Sequence, residues 1–290
     1  MKKAIVIRAF SENPDFLGRA DWLASEEDFL RCFDKAVEAG FEGVQLFIDR
    51  EGYFSLASDL KVAERIAAGA QRAGVSLASL EIAPFSYSLT DDDPTVREEG
   101  CKTIARAMEV AAAMGVRGVL VIPGWVGLPW NPAAKTVRYD IAYERTRDGL
   151  KAVAPTAERL GVSANLEPIW NRFLLSPLEV RGLLDEVGSE GVGLLLDTGN
   201  LIQFGYPEQW IRILGPRIKD VHFKDFRQSV GTVDGFVNLL EGDVNWPEVM
   251  AALREIHYDG FVIAEMFPYK FYGDTILKHT SVSMDRILGR

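Results

Sequence analysis

The chain has 290 residues, 48% hydrophobic and 26% charged, a balance that fits a folded globular protein and excludes a mainly disordered one. Its 42 acidic and 32 basic side chains give a formal net charge of -10 with no Lys/Arg-rich run, which disfavours nucleic acid and anionic membrane surfaces as partners. No apolar stretch approaches the roughly 20 residues of a membrane span, and the short apolar run after Met1-Lys2-Lys3 is too brief for a signal-peptide core. Cys32 and Cys101 stand in no metal-ligand spacing, so the expectation is a cytoplasmic protein with two reduced thiols.

The first predicted strand is Ile5-Val6-Ile7. A helix follows Ser25, an N-cap with Asp28 three residues on, and its period places Phe29, Phe33 and Val37 on one face. From there one grammar repeats: a helical stretch ends at Gly, the residue that caps a helix in the left-handed conformation, and a short apolar run follows. Gly40 precedes 44–48, Gly74 precedes 75–77, Gly115 precedes 119–122, Gly161 precedes 162–166, Gly191 precedes 192–196 and Gly260 precedes 261–264. Residues 218–221 add another such run. Helices are predicted near 61–72, 95–114, 143–160, 178–187, 207–214, 246–256 and 275–287. Short runs of Val, Ile and Leu between helices read as buried parallel strands. Eight strands alternating with eight helices specify a single (β/α)8 TIM barrel, one domain over residues 1–290. An open doubly wound sheet would carry a Gly-rich loop after its first strand, and here that loop begins Ala9-Phe10-Ser11-Glu12 with no Gly before Gly18.

Active sites of such barrels lie at the carboxyl ends of the strands. The fifth run ends Asn165-Leu166-Glu167-Pro168 and the sixth Leu196-Asp197-Thr198-Gly199-Asn200. The seventh ends Val221-His222-Phe223-Lys224-Asp225 and the eighth Ile263-Ala264-Glu265-Met266. A single charged residue there marks no more than a strand emerging into solvent. Four on consecutive strands, with no Lys or Arg in any of the four slots, mark a site. Three carboxylates with one imidazole make a hard, oxygen-rich ligand set, for which Mn²⁺ is the first choice, with Mg²⁺, Co²⁺ and Zn²⁺ as alternatives.

These motifs, with Gly242-Asp243-Val244-Asn245-Trp246 and Tyr258-Asp259-Gly260-Phe261, resemble the xylose-isomerase-like barrel superfamily, in particular its ketose 3-epimerase and sugar-phosphate isomerase/epimerase branch. The resemblance runs over nearly the whole chain and is strongest from Glu167 onward. It implies that Glu167, Asp197, His222 and Glu265 bind one divalent metal. It also implies that Glu167 and Glu265 act as an acid–base pair on a small sugar or polyol, through an enediolate. Several ketose 3-epimerases have a histidine three residues after the sixth-strand aspartate; here Asn200 stands there, able to hydrogen-bond a hydroxyl but not to titrate near neutral pH. Lyases of the same superfamily remain the alternative: dehydration of a keto-inositol or dehydroshikimate-like ring uses the same proton abstraction. Abasic-site endonucleases share the barrel but resemble a histidine-rich trinuclear zinc site, whereas this chain has three histidines, one of them at a strand end.

Lys224, Arg227 and Trp125 are the further candidates for substrate contact, the cations for hydroxyl or anionic groups and the indole for a sugar face. Trp130 and Trp170 lie in neighbouring loops, with pocket wall, loop packing and subunit interface all open; the chain is compatible with a homo-oligomer. Glu81, ending the third run, is an equal candidate for pocket and for exposed strand end. Arg8 after the first strand reads as one half of an internal ion pair, Arg172 as surface charge, and His257 and His279 as structural.

Overall fold

In the computed structural model, whose described residues are 1–12 and 22–290, eight parallel strands close into a barrel. They are β1 (Lys2–Val6), β2 (Gly43–Ile48), β3 (Ser76–Ile82), β4 (Gly118–Val121), β5 (Ser163–Leu166), β6 (Val192–Asp197), β7 (Ile218–Phe223) and, after a short hairpin, β10 (Phe261–Ala264). Around the ring the order is β1-β10-β7-β6-β5-β4-β3-β2, so β1 closes against both β10 and β2. The outer helices are α1 (Glu26–Glu38), α2 (Leu60–Ala73), α3 (Pro94–Ala113), α4 (Tyr139–Leu160), α5 (Pro177–Val187), α7 (Pro207–Leu214), α8 (Trp246–Glu255) and α9 (Thr275–Leu288); α6 (Thr198–Leu201) is a single turn at the mouth. Gly18, in the first loop, lies outside the described residues.

The local rules act as expected at most ends. Ser25 N donates to Asp28 Oδ2 at 2.8 Å at the start of α1, and Asp93 Oδ1 accepts from Thr95 N at the start of α3. Gly74 and Gly161 close α2 and α4 with φ of 83° and 64°, where a side chain would be strained. Two expectations need correction. Val37 is 43% exposed while Phe29 and Phe33 are buried: each step of four residues drifts about 40° around a helix, so by the second step the side chain has left the core face, which Cys32 and Ala36 complete. The third strand runs to Ile82 rather than ending at Leu77, because Ser79 and Glu81 are lumen-facing polar residues inside the strand and break the apolar pattern.

One core fills the space between strands and helices; a second, small one of Leu120, Ile122 and Leu195, with Ile169 against it, lies apart from it. Side chains alternate along a strand, so Asn165 and Glu167 on β5 share a face, as do Asp220 and His222 on β7. Asn165 Nδ2 donates to Asp220 Oδ2 at 2.5 Å below the metal-competent residues, and burial pushes the Asp220 carboxyl up to about 6. Gly118 is required beside them, since a Cβ there would lie 2.5 Å from Asp220 Oδ2.

The hairpin of β8 (Asp225–Phe226) and β9 (Phe236–Val237) forms a side wall of the mouth. Asp225 ties it down. Its fully buried carboxylate accepts from the backbone N of Phe226, Leu240 and Val244 at 2.9, 2.9 and 3.2 Å, and from Trp246 Nε1 at 3.0 Å. This joins the motif through Lys224-Asp225 to the motif 242–246. Asp225→Ala strands these donors in a dry site, and is expected to cost at least about 2 kcal/mol in urea-induced unfolding; a loss below about 0.5 kcal/mol would contradict this role.

Candidate metal centre and active-site cavity

β5, β6, β7 and β10 are consecutive around the barrel, and each ends in one of the four ligand candidates. Asp197 and His222 are register partners, and Glu265 N donates to Phe223 O at 3.1 Å, so the ladder carries all four to one level. One ligand atom from each of Glu167, Asp197, His222 and Glu265 lies within 4.8 Å of every other, and all four residues are buried. Asp197 Oδ1 accepts from Asn200 N at 2.7 Å, whereas its Oδ2, buried in the cluster, has no hydrogen-bond partner. A buried carboxylate oxygen without a donor, facing two more carboxylates and an imidazole nitrogen, fits a divalent cation.

The imidazole is held for ligation. Gln45 Nε2 donates to Ser79 Oγ at 2.6 Å, which turns Gln45 Oε1 toward the ring; His222 Nε2 donates to that oxygen at 3.1 Å. That leaves Nδ1 as the nitrogen available to a metal, facing Glu265 Oε2 at 3.3 Å and Asp197 Oδ2 at 3.7 Å. Gln45 was not among the sequence candidates. Its signal was a polar residue in the middle of the apolar run 44–48.

Without a metal the cluster holds protons. For His222, burial opposes the charge, but the neighbouring Asp197 and Glu265 carboxylates and the charge of Glu167 outweigh it and raise the imidazole to about 10. Burial, then the charge of Glu265, pushes Glu167 well above the usual carboxylate range. Burial also acts on Glu265, but there Lys224 and His222 prevail and hold it well below that range. Lys224 Nζ lies 3.0 Å from Glu265 Oε2 and 4.4 Å from the centre of the Phe236 ring.

A cavity of about 430 Å³ opens above the cluster, bounded by Glu167, Glu265, Lys224 and Asn200 and by a wall that includes Trp170 and Phe236. Asn200 faces it, with Nδ2 donating to Glu167 Oε1 at 3.0 Å, so it also orients a ligand candidate. Arg227 and Trp125 do not line this cavity. Arg227 is exposed and donates to Glu241 O, drawn outward by the hairpin; Trp125 donates Nε1 to Lys135 O and lines an adjacent cleft. Trp130 lines the cavity, 5.7 Å from Phe85. Arg172 and His257 are exposed, and exposed His279 meets the Tyr269 hydroxyl at 3.2 Å.

The chain belongs to the xylose isomerase-like TIM barrel family, whose model matches residues 33–283. Among curated relatives it is 24% identical over 280 residues to a D-psicose 3-epimerase of Enterocloster bolteae, covering 92% of this chain and 84% of that protein. It is 25% identical over 240 residues to an inosose dehydratase of Geobacillus kaustophilus, covering 75% of this chain and 78% of that one. An uncharacterised protein of Methanocaldococcus jannaschii is 27% identical over 190 residues, and the match spans 63% of this chain and 62% of that protein's length. A D-psicose 3-epimerase crystallised in the presence of D-fructose superposes with a TM-score of 0.78 at 20% identity, over the whole of both chains. Among the described residues, no helix is long and apolar enough to cross a membrane.

Two outcomes are expected from the ligand geometry. Gln45→Leu, which removes the acceptor that fixes the imidazole, should weaken Mn²⁺ binding about 10–100-fold in calorimetry; unchanged affinity would contradict the role of Gln45. Because His222 keeps its proton up to about pH 10 in the metal-free fold, a metal must displace it. Affinity should therefore rise with pH through neutrality and fall as pH falls, with at least one proton released per ion in paired buffers of different ionisation heat. Binding with no proton release near neutral pH would contradict it.

Proposed function

We propose that this protein is a divalent-metal-dependent isomerase or epimerase of a small sugar, with Mn²⁺ as its metal, working through an enediolate with Glu167 and Glu265 as the acid–base pair. The observation that carries this reading is the placement of two buried glutamates, Glu167 and Glu265, in one cluster and on one cavity, with surroundings that push the Glu167 carboxyl up and the Glu265 carboxyl down. Two carboxyl groups whose surroundings drive them apart supply a base and an acid at the same carbon. The relatives that act on D-psicose support a ketose as substrate.

When bound, the ion supplies Lewis acidity to the sugar's carbonyl and a neighbouring hydroxyl. Glu265 takes the proton from the carbon beside the carbonyl, and the bonding pair moves into the enediolate. Glu167 gives a proton to the opposite face, which inverts the centre. Asn200 Nδ2 keeps the Glu167 carboxyl in place throughout. Lys224, whose ammonium lies beside Glu265, contacts substrate oxygen and offsets the negative charge that develops there. Trp170 and Phe236 present an apolar face to the sugar ring or chain. Asp197 and His222 serve as ligands alone.

A second reading rests on the inosose dehydratase relative. Dehydration begins with the same proton abstraction and then expels a β-hydroxyl, so a product short of one water identifies it. Replacing Glu265 by Gln keeps a ligand oxygen but removes the base, and should lower turnover roughly 10²-fold or more with metal retained. Reaction in D₂O should place deuterium at the attacked carbon. Near-normal turnover of the metal-loaded variant, or no deuterium in product, would sink the two-glutamate mechanism; the latter would favour a direct hydride shift.

A further inference from the structure

The four ligand candidates occupy one half of the barrel mouth, and the other half carries a charged pair that the chemistry above does not use. Arg8 lies in the turn Ile7–Phe10 directly after β1, which stands opposite β5 in the ring; Glu81 lies on β3, opposite β7. Arg8 Nη2 donates to Glu81 Oε1 at 2.5 Å, with side-chain exposures of 9% and 5%. Both residues line the cavity of about 430 Å³ together with Glu167, Glu265 and Lys224. The guanidinium is braced, its carbon 5.0 Å from the Phe47 ring centre and 5.6 Å from that of Phe267.

A buried ion pair is a poor device for stability alone, since apolar residues of equal volume do as well or better. This pair faces a cavity, where it can meet a ligand. A lone arginine there would recruit a carboxylate or phosphate. With Glu81 beside it, the site offers a donor and an acceptor side by side and no net charge. Adjacent hydroxyls, each donor and acceptor at once, complement such a fork; an anionic group meets the Glu81 carboxylate. The wider charge balance agrees. With the carboxylates ionised around a bound divalent ion, the two charges of the ion and those of Arg8 and Lys224 stand against Glu81, Glu167, Asp197, Glu265 and Asp234. Nothing positive is left over among these residues for a phosphate.

We propose that the Arg8–Glu81 pair is a second recognition point, which binds hydroxyls at the end of the substrate remote from the metal ligands and turns away substrates that end in phosphate or carboxylate. The proposal rests on the reading of the cavity as a sugar site.

Calorimetry on the Mn²⁺-loaded protein tests it with three probes: D-fructose, D-fructose 6-phosphate and inorganic phosphate. Glu81→Gln unmasks Arg8, and should bind both phosphate probes at least about tenfold more tightly than the unaltered chain while losing affinity for D-fructose. The double variant Arg8→Met with Glu81→Gln should lose that gain and remain weak for D-fructose. It also leaves no unpaired buried charge, so it remains a test should Glu81→Gln fail to fold: D-fructose affinity at the unaltered level in a folded, metal-binding double variant overturns the proposal. Equal phosphate binding by the unaltered chain and Glu81→Gln overturns it too, as does a gain that survives in the double variant, which would assign the anion to the metal. If no form binds D-fructose but inorganic phosphate follows the expected order, the pair acts as stated and the sugar reading is what fails.

Discussion

Three carboxylates and an imidazole place ligand atoms within 4.8 Å of one another, buried at the barrel mouth, and like charges so placed resist both burial and each other. The surrounding residues answer that constraint. Lys224 brings a positive charge to Glu265, His222 takes up a proton in the metal-free fold, burial and the charge of Glu265 push the Glu167 carboxyl up, and one Asp197 oxygen stays without a hydrogen-bond partner. A divalent cation relieves the same repulsion and competes with those protons for the cluster. The barrel tolerates the arrangement because the ladder fixes all four strand ends, leaving the cluster no freedom to disperse.

Geometry within the cluster comes from a layer of neutral partners. Ser79 and Gln45 orient the imidazole, and Asn200 sets Glu167 while its backbone N–H donates to Asp197, the N-cap of its turn. Trp170 Nε1 in turn donates to Asn200 O, so the same indole that walls the cavity also holds the turn of α6. Asp225 performs the corresponding work for the wall, holding the hairpin that presents Phe236 to Lys224. Each partner trades a hydrogen bond it would make with water for one that fixes direction, which is what a site needing two aligned carboxylates requires.

The four ligand candidates were legible because a barrel strand's end is where its apolar run stops, and Glu167, Asp197, His222 and Glu265 all stand at that point. Gln45, Ser79 and Glu81 were harder to place, since lumen-facing polar residues interrupt the very pattern by which strands are recognised; β3 was cut short for the same reason. Trp125 and Arg227 were placed by residue type within loops, and loop path depends on partners far away in sequence, here Lys135 O and Glu241 O. The roles of Asp225 and Trp246 became clear only when the hairpin brought their two motifs together.

The most direct measurement is anomalous diffraction from crystals of the Mn²⁺-loaded protein. The expected result is one peak, about 2.0–2.4 Å from carboxylate oxygens of Glu167, Asp197 and Glu265 and from Nδ1 of His222. A peak held by other residues, a second ion of equal occupancy in the cavity, or coordination that omits Glu167 or Glu265 would contradict the metal centre on which the proposed chemistry depends.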